Sequence, residues 1–155
     1  MRRRAAKVRK IFPDAKYNEI IVSRFANRLM DDGKKSVVEK AIYEAFDNLE
    51  KKLKRSPIEI FKEAIENITP KIEVRSRRIG GATYQIPVEV SARRGSALAL
   101  KWLKTSIENI KGKGLSTKVV TVILESLENK GWAAKKKEEV FKMAEANKAF
   151  AHYRW

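Results

Sequence analysis

The chain has no cysteine among its 155 residues and a single histidine, His152. The first absence excludes disulfides and thiolate chemistry and suits a reducing compartment. The second leaves imidazole chemistry to one residue near the C-terminus, paired with no nucleophile motif. Metal sites need several His, Cys or carboxylate groups at ligand spacing, and no such grouping is present. Glu138 and Glu139 are sequence neighbours, which diverge on a helix and so cannot form a carboxylate dyad. The glycines of "RRIGGAT" lack the strand-to-helix context of a phosphate loop. No apolar run approaches the ~20 residues that span a bilayer. The basic start "MRRRAAKVRK" has no apolar stretch behind it, so it does not read as a secretory signal. There is no internal repeat and no linker rich in Pro, Gly or Ser. The expectation is one soluble cytoplasmic domain that is not an enzyme and has no cofactor, no metal and no membrane association.

Positive charge is what the chain has in excess. Lys and Arg number 35 against 19 acids, for a formal net charge of +16. Such an excess either repels itself or meets a polyanion, and nucleic acid is the commonest one. Its distribution is uneven. Residues 1–16 carry seven bases and one acid, and residues 71–94 carry six bases and two acids. Residues 36–70 are balanced, with six bases and seven acids. The basic surface is therefore directed.

Periodicity predicts a mainly α fold. A first helix is expected over Tyr17 to Met30, with Ile21, Phe25 and Leu29 four apart. Ser36 and Glu39 read as a capping box opening a second helix, whose stripe is Val38, Ala41, Ile42, Ala45, Phe46, Leu49 and Leu53. Ser56, Pro57 and Glu59 repeat the device for a third, which Pro70 ends. Past Pro70 the period falls to two. Two alternating runs around Gly80-Gly81 make a hairpin, and Pro87 confines its strand to an edge. With no third strand this is a two-stranded β-ribbon, at about 71–90. An isolated ribbon is marginal in water, so its base must pack on helices. Leu98, Trp102 and Ile110 mark a fourth helix, Val119 to Leu127 a fifth, and "AAKKKEEVFKMAEANKAF" a peripheral sixth. Trp102 lies on its helix's apolar stripe, as a core residue does. The domain organisation expected is a basic N-terminal arm over 1–16, unable to fold alone, and a single helical domain over 17–155.

In the ribbon, Arg75 and Arg77 share one face and Arg78 takes the other. Guanidinium forks suit phosphate oxygens and stack on bases, and Tyr84 offers a further stacking surface. The competing reading is an arginine ladder neutralised by Glu73 and Glu89. Two acids cannot neutralise Arg75, Arg77, Arg78, Arg93 and Arg94, which favours nucleic acid. The arm's Arg2, Arg3, Arg4, Lys7, Arg9 and Lys10 suit polyphosphate, or else form a solubility tail. Lys34 and Lys35 fit either a contact or an ordinary loop. Lys135, Lys136 and Lys137 are expected to open the sixth helix, where positive charge opposes the macrodipole.

Three strings carry a resemblance: "DGKKS" at 32–36, "VRSRRIGGATYQIPVEV" at 74–90 and "MAEANKAFAHYRW" at 143–155. The chain closely resembles the family of small ribosomal subunit protein seven, bacterial type, from its basic start to Trp155. The resemblance implies a six-helix domain with a β-ribbon between the third and fourth helices. It implies direct binding to the 3′ major domain of small-subunit rRNA and nucleation of head assembly. By the resemblance, the rRNA contacts are Arg2, Arg3, Arg4, Lys7, Arg9, Lys10, Lys34, Lys35, Arg75, Arg77, Arg78, Arg93 and Arg94. The ribbon tip, Gly80, Gly81, Ala82 and Tyr84, and the helix end, Asn147 and Lys148, would lie near exit-site tRNA and the mRNA exit path. Implied protein partners are small-subunit proteins nine and eleven, and some family members repress translation of their own message. The reading from another class is an architectural protein that coats nucleic acid without specificity.

Overall fold

The longest apolar stripe in the chain becomes the middle of the core. In the computed structural model, which describes residues 9–153, helix α2 (Lys35–Leu53) buries Val38, Ile42, Ala45, Phe46 and Leu49 along one face. Leu53 falls in its last turn, just before Lys54 closes the helix in a left-handed conformation, and stays exposed. Helices α1 (Ile20–Leu29) and α3 (Pro57–Ile68) pack on α2. Aromatic rings join the three, with centroids 5.1 Å apart for Phe25–Phe61, 5.3 Å for Phe46–Phe61 and 5.4 Å for Tyr17–Phe46. Helix α5 (Leu115–Leu127) lies against both α2 and α3.

Helix α4 (Ala92–Asn109) packs on α1, α3 and α5 and sends Leu100, Trp102, Leu103 and Ile107 inward. Trp102 is a core residue, as its stripe position predicts. Helix α6 (Gly131–Ala146) buries only Ala133 and Ala144, and so sits at the periphery against α4 and the ribbon. A short 3₁₀ helix, Lys148–Tyr153, follows it. Among the described residues the fold is thus mainly helical, with one two-stranded ribbon between α3 and α4.

Several expected helix starts are displaced, each for a local reason. Helix α1 begins at Ile20 because Asp14 folds residues 14–19 into a turn, accepting hydrogen bonds from the Lys16 and Tyr17 amides at 3.1 Å each. The capping box at Ser36 does not form. Hydrogen bonds from the Lys34 amide to Asp31 and from the Lys35 amide to Gly33 build a tight turn, so the helix begins at Lys35, with Lys34 instead of Ser36 at the cap position. Ser56 does precede α3, but without a side-chain cap hydrogen bond. Lys135, Lys136 and Lys137 do not open α6, which starts at Gly131. Lys137 instead donates to the Asn67 carbonyl at 2.6 Å, tying α6 to the end of α3.

The ribbon consists of β1 (Ile72–Ile79) and β2 (Ala82–Glu89), antiparallel, with Ile79 opposite Ala82. The turn between them has positive φ at both Gly80 and Gly81, a two-residue geometry that glycine alone adopts without strain. Directly paired residues share a face. Glu73, Arg75 and Arg77 therefore stand with Val88, Ile86 and Tyr84. The apolar side of β2 is matched to the polar side of β1, so neither face of the ribbon is uniformly apolar. Helix α6 packs on β1, and the 3₁₀ helix packs on β2.

Gly95 lets the start of α4 approach the end of α3. A Cβ there would stand 2.9 Å from Thr69 Cγ2, and Thr69 is held by its hydroxyl bond to the Ile65 carbonyl at 2.7 Å. Gly95→Leu should therefore cost about 1–3 kcal/mol by overpacking, read as a lowered midpoint in thermal or urea denaturation. An unchanged midpoint would show that the two elements separate freely.

The end of the N-terminal stretch is anchored on α2. Buried Asp14 accepts the Tyr43 hydroxyl at 2.9 Å, and Lys16 Nζ reaches Asp47 at 2.8 Å. Burial first, then the bond to Asp14, pushes the Tyr43 phenol up to about 12. A folded value above the ordinary one of 10.0 means stability that is complete below that pH and is lost as pH rises through the folded value. Thermal midpoints of wild type should accordingly fall more steeply between pH 10 and about 12 than those of Tyr43→Phe. Parallel curves would contradict the assignment.

Candidate nucleic-acid interface

Helices α1 and α4 leave between them an open groove of about 830 Å³. Helix α1 supplies Arg24, Asn27 and Arg28, with the two arginines one turn apart. Helix α4 supplies Arg93, Arg94, Ala97, Lys101 and Lys104, which recur at three- and four-residue steps along one side. Arg9 and Ile11 complete the wall. Seven cations thus line the groove beside one acid, Glu108.

Their environments differ in a way that matters for binding. Lys104 is already committed, with Nζ 2.8 Å from Asp31 and 3.5 Å from Glu108. Its hydrogen bond to Asp31 holds its pKa above the ordinary lysine value. It braces α4 against the α1–α2 loop. Arg24, Arg28, Arg93 and Lys101 make no ion pair among the described residues. Arg93 and Arg94 lie in the first turn of α4, where the exposed amide dipoles disfavour cations and favour an anion. That local cost reverses when a phosphate enters.

The ribbon joins this groove through one carboxylate. Glu73 accepts hydrogen bonds from Arg75 and Arg94, each at 2.6 Å. Burial raises its pKa, but the hydrogen bonds from Arg94 and then Arg75 outweigh that, so the carboxyl is held below its ordinary value. The stability this contributes is present above the usual carboxylate range and is lost as pH falls through the lowered value. Arginine pairing to Glu73, the competing reading of the ribbon, thus holds for Arg75 and Arg94. Arg77 and Arg78 make no ion pair among the described residues, and they stand on opposite faces of β1 as expected.

The other expected site residues fall in three places. Arg2, Arg3, Arg4 and Lys7 lie outside the described residues, while Lys10 is exposed beside Arg9. Lys34 and Lys35 are exposed on the α1–α2 loop and the start of α2, outside the groove lining, with Asp32 at 3.9 Å and Glu39 at 3.3 Å as local partners. Gly80, Gly81 and Ala82 form the exposed ribbon tip. Tyr84 packs within the chain, 5.3 Å from Phe150 and 5.5 Å from Tyr153 by ring centroids. This contact brings the ribbon beside the segment of Asn147 and Lys148, where Asn147 Nδ2 donates to the Met143 carbonyl at 2.7 Å. Exposed His152 donates from Nδ1 to the Ala149 carbonyl at 2.8 Å and packs against the Tyr153 ring.

Arg24, Arg28, Lys101 and Lys104 were not singled out from sequence. Their signal is the Arg24–Arg28 spacing of four and the Lys101–Lys104 spacing of three, both of which also describe ordinary solvated helix faces. Among the described residues, no group of three or more His, Asp or Glu side chains could hold a metal ion, and no helix is long and apolar enough to cross a membrane.

Comparison with known proteins gives a consistent result over the whole length. The family model described as ribosomal protein S7p/S5e matches residues 1–148. The chain is 51% identical over 155 residues to small ribosomal subunit protein uS7 of Pseudothermotoga lettingae, covering 100% of both chains. It is 51% identical over 154 residues to the protein of that name from Ruegeria pomeroyi, covering 99% of each. The figure is 52% over 154 residues for that of Desulfatibacillum aliphaticivorans, again covering 99% of each.

Proposed function

Because this chain belongs to the ribosomal protein S7p/S5e family, we propose that it binds the 3′ major domain of small-subunit rRNA directly and nucleates assembly of the subunit head. The coarser statement follows from the family: the chain is a structural constituent of the small ribosomal subunit in the cytoplasm, and not an enzyme.

The observation that carries the finer reading is the run of unpaired cations along the α1–α4 groove, continued by Arg77 and Arg78 on the ribbon. A-form RNA hides its base edges in a deep groove, so a protein recognises it by shape, phosphates and 2′-hydroxyls. An open groove between two helices, lined by guanidinium and ammonium groups, suits the backbone of such a helix. The N-terminal basic residues, Lys34 and Lys35 would extend the contact. The ribbon tip and the Asn147–Lys148 segment would face the exit-site tRNA and the mRNA path. Phe141 and Met143, half exposed on α6, offer apolar contact to the neighbouring proteins nine and eleven.

Titrating the chain with the 3′ major-domain fragment and with a scrambled RNA of equal length, across a salt series, tests the reading. The native fragment should bind tighter by orders of magnitude, with affinity falling steeply in salt. Equal binding to both would favour the non-specific architectural reading.

A further inference from the structure

Glu73 stands where the ribbon meets the basic groove of a chain of net charge +16, and its role there rests on the rRNA-binding reading. Glu73 is nearly buried, its side chain 9% exposed, and both its oxygens are in use. Oε1 accepts from Arg75 Nε and Nη2, and Oε2 accepts from Arg94 Nε, all at 2.6 Å. Arg75 belongs to the ribbon and Arg94 to the first turn of α4. Two guanidiniums from different elements are thus held side by side on one carboxylate. Both remain about half exposed, at 54% and 51%. No other acid pairs with Arg75 or Arg94 among the described residues. They form an outward pair of forks with one positive charge in excess.

We propose that Glu73 is a positioning residue that locks Arg75 and Arg94 into a single phosphate-binding unit, which grips one RNA backbone phosphate where the ribbon meets the groove. An arginine side chain loses rotamer freedom on binding, and a fork fixed beforehand loses less. Without the carboxylate, the two like charges would swing apart and each would meet the phosphate alone.

Simple electrostatics has the opposite sign. An acid beside a polyanion repels it, so removing the charge should tighten binding if only net charge counted. The test measures affinity and salt slope of the full chain for the 3′ major-domain fragment, where circular dichroism shows every variant folded. Glu73→Gln should bind about tenfold more weakly, with a salt slope lower by about one. Glu73→Asp keeps the charge and shortens the reach. It should also bind more weakly, and it carries the test if Glu73→Gln fails to fold. In an Arg75→Gln background, Glu73→Gln should add little, because the unit is already broken. Unchanged or tighter binding would overturn the proposal. So would a loss that persists in full in that background, since it would mark Glu73 as a brace between ribbon and α4 only. A wild-type chain that does not prefer the native fragment would fail earlier, taking the rRNA reading and this proposal with it.

Discussion

Replacing Arg28, Arg93 and Lys101 with alanine is expected to lower affinity for the 3′ major-domain fragment by about 10²–10³-fold while leaving the fold intact. All three are groove residues without an ion pair among the described residues. Their removal therefore strands no buried partner, and stability should move by no more than about 0.5 kcal/mol each. A charge-assisted phosphate contact contributes about 1.5 kcal/mol or slightly more, close to a tenfold change in affinity. The salt slope should fall by about three, one unit for each phosphate no longer neutralised. Isothermal titration or filter binding at several salt concentrations reads both quantities. A drop in affinity that tracks a fall in thermal midpoint, or that leaves the slope unchanged, would assign these residues to the fold.

The second large effect concerns that fold. Phe61→Ala should destabilise the chain by about 3–5 kcal/mol. Phe61 is fully buried and packs on both Phe25 and Phe46, so it joins α1, α2 and α3 at one point. Truncation would remove an aromatic from between three helices that cannot all close over the gap. For a domain of this size the thermal midpoint should drop by roughly 10–15 °C. A drop of only a few degrees would mean that the three helices repack around alanine.

The helices were legible because their apolar spacing depends only on local sequence. Ile42, Phe46 and Leu49 recur on one face whatever they pack against. The ribbon was legible for the same reason, since Gly80-Gly81 and the alternation around them specify a hairpin unaided. Helix starts were read less well. The Ser36 box yielded to the preceding turn, whose backbone hydrogen bonds from the Lys34 and Lys35 amides start the helix at Lys35 and leave Ser36 inside its first turn.

The groove was legible only in part. Arg93 and Arg94 stood out as a pair beside the ribbon. Arg24, Arg28 and Lys101 did not, because each occupies the polar face of an amphipathic helix. Whether two such faces meet depends on how α1 crosses α4, which is decided by core packing far along the chain. Glu73 is legible in the sequence as a counter-charge for the arginines, but not as a link between two elements. Strand alternation grouped it with Arg75, but its second partner, Arg94, comes from α4 and no local pattern announces it.

The central claim is that the α1–α4 groove faces the RNA, and a chain without cysteine permits a direct test. A single cysteine at Asn27, on the groove wall, would carry a tethered iron chelate that cleaves nearby RNA backbone. A second variant with the cysteine at Glu44, exposed on α2 outside the groove, serves as the comparison. The account predicts localised cuts in the bound 3′ major-domain fragment from position 27 and little or none from position 44. Cuts from position 44 alone, or equal cutting from both, would contradict it.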